Sequence, residues 1–547
     1  MSGSWTRGRA LCTGGAFALG LGLLVTAVFA RAGGTQARPK IRNGGIFRIS
    51  EPGIDYIDPA LEVNAGAFLT ATCANLMRYA DEPLPAGLRL VPEVAAGYPL
   101  VSRDGKTFTF TIRQDFRFST GEPVTAASFA REINRVLNPA MNSPWTQYVQ
   151  DIVGAEDVLQ GKATSARGVR AVGNKLVIRL IAPAPDLPAR MTLNSFCSVP
   201  ANLPADPEGA RAPLPAAGPY YIAAYVPGQK LVLRRNRFYH GHRPHHVDGF
   251  STIFVDSAHT AFQMVAQGQA DFADAGPASA YVELLGKYKL NKSQLFRRPG
   301  DALRMVVMNT SRPLFRNNVK LRQAVNFALD RAALRRERGG PQTGELADQY
   351  LPPGTPGFEN AHVYPLQKPN LSRAKALARG RTRSGKAVLY TQDSGPGVPQ
   401  AQLVKAELKR IGIDVTIKEF PGPVMFQKIF TPGEHWDLTF LGWFPDYFDP
   451  AGFLNSLFDG RNVPKAGTYG SNWAYFNSAR YNRLLREAAQ LKGAARYRAY
   501  GRLDVDLTRN AAPVSAYMIE DVYTFVSKRA GCVITNPFLD LSAVCLR

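Results

Sequence analysis

Four of the chain's seven histidines fall in one short stretch, YHGHRPHHVDG from Tyr239 to Gly249: His240, His242, His245 and His246. Imidazole is the commonest metal ligand, and four within so short a span resemble a zinc or nickel clasp. Pro244 interrupts the set, so a regular helix does not present it. A second candidate is GRTRSGKA, Gly380 to Ala387, which matches the phosphate-cradling GxxxxGK pattern apart from its last residue. That loop works by aiming amides and a helix N-terminus at phosphate while a hydroxyl reaches Mg²⁺. Here Ala387 supplies no hydroxyl. The segment also follows the helical LSRAKALARG and precedes the strand-like AVLYT, the reverse of what a nucleotide site needs. No HExxH and no GxSxG is present, and spacing alone gives no pair of carboxylates an acid/base role.

At 547 residues the chain exceeds what one core usually supports, so two or three domains are expected. Its 45% hydrophobic content is that of a globular protein. The net charge is +23, with Arg spread along the chain. No zinc-finger spacing and no basic stripe interleaved with aromatics points to nucleic acid. The charge reads as solvated surface, with mild attraction to an anionic membrane or cell wall as its functional version.

Arg7 and Arg9 precede an uncharged run from Ala10 to Ala30 that ends Val28-Phe29-Ala30, which reads as an export signal. The run is at the edge of what spans a bilayer, so an uncleaved anchor is the alternative. Cys12 starts the run and is poorly placed for a lipoprotein cysteine. The mature chain is therefore expected outside the cytoplasm, at the periplasmic or extracellular face of the membrane. Cys73, Cys197, Cys532 and Cys545 are then an even set in an oxidising compartment. Three pairings are possible. The short Cys532/Cys545 loop suggests one bridge, which leaves Cys73 with Cys197.

The elements that position these residues are mixed. GIFRIS opens as a strand. In DGKTFTFTIRQDF, Phe108, Phe110 and Ile112 alternate with Thr107, Thr109 and Thr111, a half-buried strand. Thr125 caps a helix with Phe129, Ile133, Val136 and Leu137 on one face, ended by Asn138-Pro139. AAGPYYIAAYVPGQKLVLRRNRFYHG reads as a hairpin turning at Pro227-Gly228. GFSTIFVDSAHTAFQMVAQGQADFA reads as strand, helix, turn and short strand. RMVVMNT with the helix NNVKLRQAVNFALDRAAL suggests a new α/β unit near residue 300. KAELKRIGIDVTIKEF is helix, Gly turn and strand, and HWDLTFLGWFPDYFDPAGFLNSLF is a strand running into an aromatic loop.

Five of these segments, in order, resemble the extracellular solute-binding proteins of the oligopeptide/dipeptide/nickel family, the capture subunits of ABC importers. They are DGKTFTFTIRQDFRFSTGEPVTAASFAREINRVL, the Gly-Pro-Tyr hairpin, the helix ending at Gly268 and Asp271, VVMNTSRPLFRNNVKLRQAVNFALDRAAL, and HWDLTFLGWFPDYFDPAGFL. The resemblance covers essentially the whole mature chain. It implies an α/β bilobal Venus-flytrap fold with an extra subdomain inserted in the first lobe, closing about a hinge. The expected division is residues 1–40 signal or anchor and tether, 41–66, 186–298 and 500–547 first lobe, 67–185 inserted subdomain, and 299–499 second lobe. Crossings are expected near Pro299 to Leu303 and near residues 495–510. In the family's hairpin the histidine positions are variable slots of a surface turn, so no metal and no cofactor is expected.

In the family's oligopeptide binders an Asp in the segment matching GWFPDY pairs with the peptide's α-amino group, which puts that role on Asp446. Backbone groups there accept the peptide as an added strand, which implicates Gly442, Trp443 and Phe444. By a looser match Asn64, Ala65 and Gly66 would face them from the first lobe. Asp446 could instead be a structural carboxylate capping a turn with Asp449, and Trp443, Phe444, Tyr447 and Phe448 are pocket wall or plain core. Nothing selects one Arg or Lys for the ligand's carboxylate. The implied function is a monomeric, non-catalytic receptor that passes short peptides to permease subunits and touches the membrane through them or through its N-terminus. The same fold holding a metal chelate, an opine-like compound or an oligosaccharide is the near alternative, and an exported hydrolase the distant one.

Overall fold

The computed structural model describes residues 41–63, 66–274, 278–465, 470–534 and 540–547. The readings for residues 1–40, and for Asn64 and Ala65, lie outside the described residues.

An eleven-stranded sheet forms the spine. Its strands are β1 (Ile46–Pro52), β2 (Tyr220–Val226), β3 (Lys230–Arg235), β4 (Gly249–Val255), β5 (Phe272–Asp274), β6 (Leu295–Met308), β7 (Lys386–Gln392), β8 (Asp414–Phe420), β9 (Leu438–Trp443) and β10 (Val514–Val526), with short Gly344–Leu346 also on β10. They lie in the order β8-β7-β9-β6-β10-β5-β1-β4-β3-β2. The β2–β3 hairpin turns at Gly228, where a positive φ of 67° suits glycine.

One sheet, but separate cores, gives two lobes. Phe47, Ile49, Leu231, Leu233 and Phe250 pack with Val526 and Leu546, so residues from both ends of the chain fill the first lobe's core. Alternate residues of β6 feed two further cores, as the period of two requires. Leu303, Met305 and Val307 join Trp436, Trp443 and Phe453. Val306 and Met308 join Leu321, Leu389 and Val415.

Strands β6 and β10 belong to both halves. Leu295–Arg298 pairs with Val522–Phe525 and Ala302–Val307 with Val514–Glu520, with a register break between Arg298 and Ala302. That break overlaps Pro299 to Leu303, where the first crossing is expected. Residues 495–510, where the second is expected, hold no strand of this pair. Those residues continue a helix, Gly493–Asp506, into a helical turn, and the strand facing the break is β10 at Glu520–Val522.

A smaller sheet of Leu100–Val101, Thr107–Thr111, Lys175–Arg179 and Val169–Val172 carries α1 (Ala126–Leu137). Phe108, Phe110 and Ile112 are buried in its core together with Phe129, Ile133, Val136 and Leu137 of α1. The Ser128 hydroxyl accepts from the Thr125 amide at 3.2 Å at the helix start. The second lobe supplies α2 (Ala451–Phe458), α3 (Ala479–Gln490) and α4 (Gly493–Asp506). The segment read as one helix over NNVKLRQAVNFALDRAAL is two, Val319–Ala328 and Arg331–Glu337. Asp330 restarts it by accepting from the Ala333 amide at 2.8 Å.

Disulfides join Cys73 to Cys197 and Cys532 to Cys545. GRTRSGKA connects the helix Leu371–Ala378 to β7. Among the described residues no helix is long and apolar enough to cross a membrane.

Candidate binding site

The histidine stretch is organised by its other residues. Tyr239, Arg243 and Val247 are buried. The Arg243 guanidinium donates to the carbonyls of Thr70 and Cys73 and pairs with Glu93 at 2.8 Å. His245 Nδ1 lies 2.9 Å from the Arg243 carbonyl oxygen and His246 Nδ1 3.3 Å from the Asn43 side chain. Among the described residues no group of three or more His, Cys, Asp or Glu side chains is placed to hold a metal ion.

Strand β9 offers a different kind of site. Along one edge it pairs with β6 through all of Leu438–Trp443. Along the other, β7 reaches only Leu438 and Thr439. Phe440 to Trp443 therefore present an edge that no described strand occupies, and a bare edge is a template for an added strand. Gly442 lies beneath the guanidinium of Arg304, which projects from β6; a Cβ at residue 442 would collide with Arg304 Nη1. Trp443 is core: its Nε1–H donates to the Gly452 carbonyl at 2.8 Å, and its ring stands edge-on to Trp473 at 5.4 Å. Phe444 is 47% exposed, with the Arg304 guanidinium 5.1 Å from its ring centre.

Beyond Phe444 the chain leaves the second lobe and meets the inserted subdomain. Tyr447 is buried in that subdomain's core, donates to Asp186 at 2.8 Å and stands edge-on to Tyr148. The Phe448 amide donates to the Tyr79 hydroxyl at 2.7 Å. Asp449 accepts from Arg496 at 2.7 and 3.2 Å and from the Ala451 amide at 2.8 Å, capping α2. Arg496 also lies 3.8 Å from Asp186, whose other cation is Arg190 at 3.0 Å. Burial works against the Asp186 carboxylate, but Arg190 and Arg496 together hold it below the usual range.

Asp446 is the exception in this loop. Its carboxylate accepts from the Tyr148 hydroxyl, and no cationic side chain among the described residues pairs with it. Burial pushes its carboxyl up to about 7, with the Tyr148 hydrogen bond acting the other way. The Tyr148 hydroxyl is held well above its ordinary value by burial and by the facing carboxylate. Among the described residues no backbone amide donates to Asp446, whereas Asp449 caps α2. A neighbouring cavity of about 140 Å³ is lined in part by Gln147, Asp151, Arg190, Asn455 and Arg461. Two ion pairs line it, Arg190–Asp151 at 2.8 Å and Arg461–Asp459 at 2.8 Å, together with Arg486.

Asp446 and the open edge of β9 lie on the segment the sequence singled out. Tyr148, Asp186 and Arg304 do not. They meet the loop from distant parts of the chain, and nothing in their neighbours in sequence marks them.

The profile described as bacterial extracellular solute-binding proteins, family 5 (middle region), matches residues 89–465, more than half of the chain. The oligopeptide-binding protein OppA of Bacillus subtilis is 25% identical over 406 residues, covering 71% of this chain and 72% of that one. The probable D,D-dipeptide-binding periplasmic protein DdpA of Escherichia coli is 25% identical over 505 residues, covering 88% and 90%. Among solved structures, the clavulanic acid biosynthesis oligopeptide binding protein 2 superposes with a TM-score of 0.82 at 23% identity, over 93% of this chain and 96% of the other. At that identity the likeness establishes the bilobal fold.

Proposed function

Because this chain belongs to the bacterial extracellular solute-binding proteins of family 5, we propose that it captures short peptides between its lobes. It would then deliver them to the permease subunits of an ABC importer, with no chemical step of its own. The printed names of its relatives, an oligopeptide binder and a D,D-dipeptide binder, support that class of cargo.

The observation that carries the reading is Asp446. A part-buried carboxylate with a hydroxyl partner and no cation among the described residues is costly in the ligand-free protein. An ammonium delivered by a peptide N-terminus forms a charge-assisted pair there and removes the deficit. The open edge of β9 leads up to Asp446 and suits main-chain hydrogen bonds, which accept any side chains. Substrate class and N-terminal recognition thus come from one short segment. On this reading the lobes are hinged at the β6–β10 break, with the inserted subdomain closing over the loop through Tyr148.

Calorimetric titration of the purified protein with Ala-Ala-Ala and with its N-acetyl form tests this. Acetylation is expected to weaken binding about 100-fold or more, the usual cost of leaving a buried charge unpaired. Asp446→Asn should lose the same discrimination. Equal affinities for the two peptides would reject the amino-recognition role.

A further inference from the structure

Arg304 faces Gly442 in the β6–β9 register, with its guanidinium laid across β9 where glycine leaves room. Only one strand separates β6 from the open edge, and strands are spaced about 4.8 Å apart. An arginine can span that distance over a glycine, but not over a larger residue. The half-exposed Phe444 ring flanks the guanidinium and Glu520 takes its Nε and Nη2, so Nη1 is the nitrogen that lies over Gly442.

The local charges do not balance. Arg304 pairs with Glu520 of β10, and Glu520 also accepts from Arg338 at 2.9 and 2.6 Å. Two guanidinium groups share one carboxylate. The nearby Asp521 is occupied by the Gly300 amide at 2.6 Å and by Arg297 at 3.4 Å. All three side chains of the cluster are mostly buried but reach solvent, at 20% exposure for Arg304, 19% for Arg338 and 16% for Glu520. Burial lowers the Arg304 pKa, Glu520 opposes this and Arg338 adds to it, so the charge is under-compensated.

We infer that Arg304 receives a carboxylate of the bound solute beside Gly442, with Asp446 taking the ammonium four positions further along the same segment. The inference rests on the peptide reading and deepens it. Gly442 and Asp446 are four positions apart on one segment, at most about 13 Å if extended. That matches the span from ammonium to carboxylate in an extended peptide of about three residues, four at most. The same carboxylate chemistry can come from a C-terminus or from an acidic side chain near the third position.

Calorimetry on the intact protein with Ala-Ala-Ala, its C-terminal amide and Ala-Ala-Glu-amide separates the sources. In the wild type, amidation should weaken binding about tenfold or more, the size of a hydrogen bond to a charged group. Recovery by Ala-Ala-Glu-amide would assign a side-chain carboxylate, and no recovery the C-terminus. Arg304→Gln should bind acid and amide alike, and Gly442→Ala, which displaces the guanidinium, should do the same. Continued discrimination against N-acetyl-Ala-Ala-Ala reports that either variant is folded. Equal binding of acid and amide by the wild type, with N-acetyl still rejected, overturns the Arg304 role and leaves the peptide reading standing. Rejection of every free-amine peptide removes the peptide reading and this one with it.

Discussion

Asp446 and Asp449 are three positions apart in one buried loop, and their surroundings differ in kind. Around Asp449 every charge is answered: Arg496 donates to it, Asp186 is shared by Arg190 and Arg496, and an amide of α2 completes the set. Around Asp446 there is one tyrosine hydroxyl. The first region holds the loop and the inserted subdomain together. The second leaves a charge deficit that structure alone does not meet, which marks it as the part that waits for something. A buried carboxylate says little about role until its partners are counted.

The contrast breaks most visibly in the compensated region. Arg496→Met leaves Asp449 and Asp186 buried and short of a cation, which should cost about 3–5 kcal/mol. It should appear as a clear fall in thermal unfolding midpoint, and an unchanged midpoint would mean the network is dispensable. The next effect belongs to pH. Below about 7 the ligand-free Asp446 carries a proton. The ammonium complex requires the carboxylate, so binding releases that proton and affinity falls as pH drops. Between pH 8 and 5 the dissociation constant for a free-amine tripeptide should rise by up to about tenfold per unit below the midpoint. A flat profile would place the ammonium elsewhere. The smallest effect is Tyr148→Phe. Loss of a hydrogen bond worth about 1 kcal/mol should move that midpoint to higher pH by under about one unit, because the bond favours the ionised form.

How far the sequence shows this depends on the range of the interaction. Strand and helix patterns around Phe108–Leu137 are local, and alternation and capping display them. The single-helix reading of residues 317–334 failed because a capping aspartate among helix-forming neighbours is a weak local signal against a strong one. The loop Phe444–Asp449 was marked by its family pattern, and the two readings of Asp446 and Asp449 stayed open because they differ only in partners. Tyr148 meets Asp446 across 298 positions, and Glu520 meets Arg304 across 216. Such pairs are set by how lobes pack, and no local propensity records them.

The paired strands β6 and β10 pass side by side between the lobes, with a register break between Arg298 and Ala302. Two strands alone twist more readily than a broad sheet but are stiff to stretching, because their backbones are already near full extension. Mechanically, such a ribbon is a torsion bar: soft about its long axis, rigid along it. If the lobes hinge there, as proposed above, their motion is confined to rotation, and the open edge of β9 returns to the same alignment at each closure. The accuracy with which a solute is re-gripped is then set by the stiffness of a strap two strands wide, at a point that touches no solute.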